Sequence, residues 1–92
     1  MEFTHNQAAG QYEARQDGQL AGEAHYRLLG SVADFDHTLV PPEFEGKGVA
    51  GRLVQYAMDD IRDAGAWKVR ATCPYVVHWF ARHPDYADLL EA

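Results

Sequence analysis

Residues Pro41 to Leu53 read P-P-E-F-E-G-K-G-V-A-G-R-L, and the fold turns on how they are read. The two prolines end whatever precedes them, since a proline ring leaves no N–H to continue a ladder or a helix. Gly46 and Gly48 flank Lys47, and an apolar-periodic segment starts at once with Val49. Glycines let consecutive backbone N–H groups turn toward one point. A helix beginning behind them adds its own unpaired N–H groups and the positive end of its dipole. The stretch therefore reads as an anion cradle at a helix N-terminus, with a phosphate group as the first expected ligand.

Downstream of the cradle, Val49, Leu53, Ala57 and Ile61 step by four and are joined by Ala50, Val54 and Met58. Arg52, Asp59, Asp60, Arg62 and Asp63 take the opposite side, which predicts an amphipathic helix. Gly65 is its natural left-handed stop. Ala66 to Thr72 then predicts a strand with Trp67, Val69 and Ala71 on one face. Pro74 stands at the first position of a short helix running to about Arg82, which His83-Pro84 breaks. Asp85 to Glu91 adds a last helical turn or two, with Tyr86, Leu89 and Leu90 closing the core.

Upstream, Phe3 to Asn6 is too short to assign and Gln7 to Gly10 reads as loop. Gln11 to Gln16 alternates with Tyr12 and Ala14 on one face, and Asp17-Gly18 is a hairpin turn. From Leu20 to Leu28 the residues Leu20, Gly22, Ala24, Tyr26 and Leu28 are expected inward, with Glu23, His25 and Arg27 outward. Gly30-Ser31 makes the next turn. Val32 to Leu39 is the third strand, with Ala33, Phe35, His37 and Leu39 as its expected core face.

Strand, cradle, helix, strand is a βαβ unit, and its two strands are expected parallel. The chain is thus a single α/β domain, residues 1–92. It combines antiparallel N-terminal strands, a central βαβ unit and short C-terminal helices in one mixed sheet. The cradle follows the C-terminal end of one parallel strand and Cys73 follows that of the other. Ligands of open α/β sheets bind along that edge, so the cradle and the only thiol are expected to open onto one crevice. If Pro74 is the first helical residue, Cys73 is the cap, where a thiol's pKa is lowered by the dipole.

Composition narrows the function classes. With 8 basic and 14 acidic residues the net charge is −6, which disfavours nucleic acid and anionic membrane surfaces and suits cationic substrates. A single cysteine excludes an intramolecular disulfide and a cysteine-rich zinc site. Cys73, His78 and His83 are spaced by five, which turns them around a helix instead of aligning them, so no metal site is expected. There is no signal pattern and no apolar run long enough to span a bilayer, so a soluble cytoplasmic protein is expected.

Glu45-Gly46-Lys47-Gly48-Val49-Ala50 resembles the R/Q-x-x-G-x-G/A pattern of GNAT-superfamily N-acetyltransferases, with Gly48 and Ala50 in the last two fixed places. Glu45 stands where the pattern has Arg or Gln, and sets a carboxylate beside the ligand. The chain is also similar to a subgroup of very short GNAT-like proteins. The likeness rests on His37-Thr38-Leu39-Val40-Pro41 before the glycine turn, on Cys73-Pro74-Tyr75-Val76, and on His83-Pro84-Asp85-Tyr86. It covers the chain from about Gln11 onward.

The resemblance implies a trimmed GNAT fold with acetyl-CoA between two diverging central strands. It implies that Gly46, Lys47, Gly48, Val49 and Ala50 hold the pyrophosphate through backbone N–H groups. Val40 would lie along the pantetheine, and Lys47 or Arg52 would neutralise a CoA phosphate. The N-terminal helices of longer members have no room here, so the acceptor site is expected to stand open or to be completed by a second copy of the chain as a homodimer.

Acetyl transfer to an amine needs a group that takes the amine's proton and a group that deals with the leaving thiolate. His37, Glu43 and His78 are candidate bases for direct attack. Cys73 could instead accept the acetyl group first, or donate a proton to the departing CoA thiolate. Two functions of different class are compatible with these residues. One is an acetyl-CoA-dependent N-acetyltransferase acting on a small-molecule or exposed protein amine. The other is a module that binds CoA or acyl-CoA without turnover.

Overall fold

In the computed structural model, which describes residues 1–91, five strands form one mixed sheet in the order β1-β2-β3-β4-β5. The strands are β1 (Glu2–Asn6), β2 (Gln11–Gln16), β3 (Gln19–Leu29), β4 (Val32–Leu39) and β5 (Lys68–Ala71). The first three junctions are antiparallel and β4 pairs with β5 in parallel, from Val32↔Lys68 to Phe35↔Ala71. Helix α1 (Val49–Ala64) connects the parallel pair, and α2 (Pro74–Arg82) follows β5. The expected mixed sheet around a βαβ unit is the observed one.

Local chemistry accounts for the boundaries. Asp17 and Gly18 both have positive φ, at 51° and 79°, as a two-residue turn between β2 and β3 requires. Gly65 ends α1 in the left-handed conformation, and its N–H donates to the Ile61 carbonyl. Pro74 opens α2 at its first position with Cys73 as the cap residue. β1 joins the sheet although Phe3 to Asn6 is too short to assign from sequence, because Phe3 and His5 stack on Tyr56 and Tyr12. Gln7–Ala9 forms a 3-10 turn, and β5 is shorter than the expected Ala66 to Thr72.

The core lies between the sheet and α1. Tyr12, Ala14, Ala24, Tyr26, Ala33, Phe35 and Val69 meet Val49, Leu53, Val54, Ala57, Met58 and Ile61 there. Two carboxylates on the flank of α1 each accept a tyrosine hydroxyl at 2.7 Å: Asp60 from Tyr12, and Asp59 from Tyr86. The C-terminal segment is a 3-10 helix, Pro84–Leu89, that buries Tyr86 and Leu89. Arg62 ties it down through Asp88 Oδ1 at 2.6 Å and by lying over the Tyr86 ring at 4.7 Å. Leu90 then bridges to Val69, and the Glu91 N–H donates to the Val69 carbonyl at 3.0 Å. This contact covers part of the edge that β5 would otherwise present.

The facing of β4 departs from simple alternation. His25 pairs with His37 but Tyr26 pairs with Phe35, so Asp36 is an extra residue opposite β3. Such a bulge reverses every side chain beyond it. Ala33 and Phe35 point to the core as expected, whereas His37 and Leu39 turn to the outer face and Thr38 takes the inner one. Leu39 is consequently 47% exposed, and Asp34, expected outward and exposed, is buried and accepts the Thr72 hydroxyl at 2.6 Å. Leu28, expected inward, is 45% exposed where the sheet ends beside the Gly30 turn.

α1 lies so close to β3 at Gly22 that any side chain there crowds the helix. A Cβ there would stand 3.0 Å from Val49 Cγ1 and 3.4 Å from Leu53 Cδ2. Gly22→Val is expected to destabilise the fold by about 1–3 kcal/mol through overpacking. In thermal unfolding followed by circular dichroism, that lowers the midpoint by roughly 5–20 °C for a chain of this size. An unchanged midpoint would contradict the close approach.

Candidate functional site

β4 and β5 part company at the carbonyl of Phe35. It accepts from the N–H of Thr72 at 3.1 Å and from the N–H of Cys73 at 2.9 Å, and the shared ladder ends there. β4 runs on through Asp36 to Leu39, paired to β3 on one edge and without a strand partner on the other. The glycine turn follows the free end of β4, and α2 starts just beyond the end of β5.

The glycine turn has the conformation its sequence suggested. Gly46 and Gly48 have φ of 79° and 72°, and no atom lies within 4 Å of where a Cβ would stand on either. Both need glycine for the backbone and leave the space above it clear. A cavity of about 320 Å³ lies over the turn, lined in part by Val40, Glu45, Gly46, Gly48, Val49 and Ala50. A second, polar groove of about 500 Å³ shares Gly48, Gly51 and Tyr75 with it and runs between α1 and α2. Arg52, His78, Arg82 and His83 line that groove and give it a basic wall.

The other expected residues are distributed as follows. Lys47 lies over the Phe44 ring at 5.7 Å and does not line the cavity. Arg52 reaches the groove and also lies 5.5 Å over the Phe3 ring. Cys73 is only 7% exposed and does not line the cradle cavity, although it sits at the same end of the sheet. Its sulfur is 3.6 Å from Thr38 Oγ1, two residues before Val40. Burial pushes the Cys73 thiol up, but the Val76 N–H, the Thr38 hydroxyl and the N–H groups of Tyr75 and Thr38 favour the thiolate more, leaving it below its usual value.

His37 lies on the outer face, exposed and not packed into the core. Its ring meets that of His25 at 5.5 Å in a T-shaped contact, and His25 Nε2 is 2.7 Å from Glu23 Oε1. Sequence reasoning did not single out His25 and Glu23, because both stood as ordinary outward residues of an alternating strand. Only the bulge at Asp36 sets His37 beside them. Arg82 was likewise passed over, and His83 was weighed only as a metal ligand and a motif residue, since the groove they line exists only once α2 packs beside α1. His78, expected as a base candidate, lines that same groove.

Residues 11–89 match the family model described as GCN5-related N-acetyl-transferase. Among solved structures, a GCN5-like protein from Staphylococcus aureus superposes with a TM-score of 0.73 at 22% identity, over 99% of this chain and 88% of that one. The ribosomal-protein-S18-alanine N-acetyltransferase of Escherichia coli gives a TM-score of 0.66 at 14% identity, over 79% of this chain and 50% of that one. The ribosomal-protein-alanine N-acetyltransferase of Brucella melitensis biovar Abortus 2308 gives 0.57 at 23% identity, over 89% and 61%. This chain thus spans about half to three-fifths of the two ribosomal-protein enzymes. No curated protein matches the sequence. Among the described residues, no helix is long and apolar enough to cross a membrane.

The environment of Cys73 makes a testable statement about its thiol. Alkylation by iodoacetamide proceeds through the thiolate, so its rate rises with pH through the thiol's pKa. The midpoint is expected below that of an ordinary cysteine thiol. Thr38→Val, which removes a hydrogen-bond donor, should move it upward. A midpoint at or above the ordinary value would show that burial wins.

Proposed function

Because the chain belongs to the GCN5-related N-acetyltransferase family, we propose that it transfers an acetyl group from acetyl-CoA to a primary amine, on a small molecule or an exposed protein. The observation that carries this reading is the clear space over Gly46 and Gly48, in a cavity that reaches Val40 just past the end of β4 and Tyr75 at the start of α2. The residues present suit the cosubstrate. Backbone N–H groups from Gly46 to Ala50 take the pyrophosphate, helped by the positive end of α1. The unpartnered edge of β4 near Thr38 and Val40 offers backbone groups to the amides of pantetheine, as an edge strand takes an added strand. Arg52, His78, Arg82 and His83 provide positive or donor groups for a further phosphate.

On this reading Val40 and Thr38 bring the thioester to the end of β4, with the two candidate reactive groups on opposite faces. Cys73 approaches from the inner side against Thr38, and His37 stands on the outer face, where an amine can arrive from solvent. His37 takes the ammonium proton, and His25, held by Glu23, stands beside it. Two orders of steps meet this placement. In direct attack the amine nitrogen bonds to the acetyl carbon, the C–S bond breaks, and Cys73 protonates the departing CoA thiolate. In the two-step route the Cys73 thiolate takes the acetyl group with release of CoA, and the amine then displaces the thiolate.

A second reading, a CoA-binding module without turnover, is favoured by one observation. Glu45 lines the cradle cavity and carries a negative charge into it. Ligand-dependent stabilisation and CoA release separate the two. At about a hundred times its dissociation constant, acetyl-CoA adds roughly 2.7 kcal/mol, which raises the unfolding midpoint by on the order of ten degrees. A shift with acetyl-CoA and CoA but little with ATP is expected. No shift at millimolar concentrations would remove both readings, while a shift without amine-dependent CoA release would leave only the second.

Substitution at Cys73 then resolves the chemistry. Cys73→Ala is expected to keep the CoA-dependent shift and to lose transfer. A stoichiometric burst of CoA without amine marks the two-step route, and its absence marks direct attack. Full activity in Cys73→Ala would exclude the thiol from either.

A further inference from the structure

A separate cavity, of about 240 Å³, lies at the opposite end of α1 and is lined by His5, Gln7, Tyr12, Asp60, Ile61, Ala64, Ala66 and Trp67. Asp60 is eleven residues beyond Val49, which sets the cavity about 17 Å along the helix axis from the cradle. An acetyl group bound at the first site cannot reach it. Its lining has a chemistry of its own, with three aromatic rings, one carboxylate and no lysine or arginine.

The aromatic walls are held in place. His5 stacks on Tyr12 with centroids 4.1 Å apart and meets Trp67 at right angles, 5.9 Å away. Trp67 is backed by Tyr26 at 5.3 Å, and Tyr26 shares a 2.6 Å hydrogen bond with His5 Nε2. The carboxylate is anchored through one oxygen. Asp60 Oδ2 accepts the Tyr12 hydroxyl at 2.7 Å and lies 3.6 Å from His5 Nδ1, and the side chain is 42% exposed, so it also faces solvent. Ile61 and Ala64 belong to the last turn of α1, where the helix presents its negative end. Tyr12 is fully buried beneath His5, so the rings left to meet a ligand are His5 and Trp67, set at right angles. With the carboxylate and the helix C-terminus they attract a positive charge, and the aromatic surface favours one carrying methyl groups over one strongly hydrated.

We infer that this cavity is a binding site for a small organic ammonium cation of the quaternary or methylated class, separate from the anion cradle. Burial holds the His5 imidazole below its usual value, by more than Asp60 raises it, so at neutral pH the ring adds no opposing charge. The net charge of −6 favours the approach of such a cation. The site does not depend on the acetyltransferase reading, and the test below uses no acetyl-CoA.

The test is a titration of the 15N-labelled chain with choline and, in parallel, with 3,3-dimethylbutan-1-ol, its uncharged isostere. Choline is expected to give saturable shifts in the Trp67 indole N–H and in the amides of Ala64 and Ala66, and the isostere none. Asp60→Asn keeps an acceptor for the Tyr12 hydroxyl while removing the charge, and should weaken choline binding by about tenfold or more. Trp67→Leu should do the same by removing a wall. No saturable shift up to about 100 mM choline would overturn the inference, since that corresponds to less than about a tenfold advantage over molar affinity. Equal binding of the isostere, or shifts confined to Gly46–Ala50, would overturn it as well.

Discussion

The bifurcated acceptance at the Phe35 carbonyl is the constraint from which the rest of the site follows. Two successive N–H groups, of Thr72 and Cys73, converge on one oxygen. The chain after β5 therefore cannot keep the even spacing of a parallel ladder, and β4 and β5 separate. That separation leaves the distal edge of β4 without a strand partner. It also fixes Cys73 at the entrance to α2, with its sulfur against Thr38. A sheet that stayed paired to the end of β4 would leave no free strand edge between Asp36 and Leu39.

The bulge at Asp36 has a complementary effect on the other junction of β4. Beyond it, Thr38 faces inward toward Cys73, and His37 faces outward beside His25. One inserted residue therefore allots adjacent positions in sequence to opposite faces at the point where the strands diverge. Without the bulge His37 would enter the core, where a histidine needs buried partners, and Thr38 would be lost to Cys73. The bulge thus gives His37 and Thr38, neighbours in sequence, different surroundings.

Much of this was legible in the sequence because it depends on local chemistry. The glycines at 46, 48 and 65, the proline at 74 and the four-residue steps of α1 each act within a turn or two of their own position. Their elements appear where the spacing puts them. The facing of β4 beyond Phe35 was not legible, since a bulge is settled by pairing with β3 and leaves the alternation of apolar residues looking regular. β1 was missed for a related reason. Five residues carry too little pattern, and what holds them is contact with Tyr12 and Tyr56, distant in sequence. The basic groove of Arg52, His78, Arg82 and His83 belongs to two helices whose relative placement no local signal encodes.

α1 links these features because its position is fixed along its whole length. Gly22 admits Val49 and Leu53 at one end, Tyr12 and Tyr86 donate to Asp60 and Asp59 near the other, and Arg62 fastens the C-terminal segment to it. A helix held at both ends cannot slide or tilt without breaking a close contact or a buried hydrogen bond. Its N-terminal N–H groups are therefore fixed in direction. On the proposed reading, preorganisation of this kind would lower the ordering cost of binding an anion, a gain that offsets the carboxylate of Glu45 and the acidic balance of the chain. Backbone N–H groups fixed in direction hold an anion whatever the net charge of the chain, and a loop free to turn away would not.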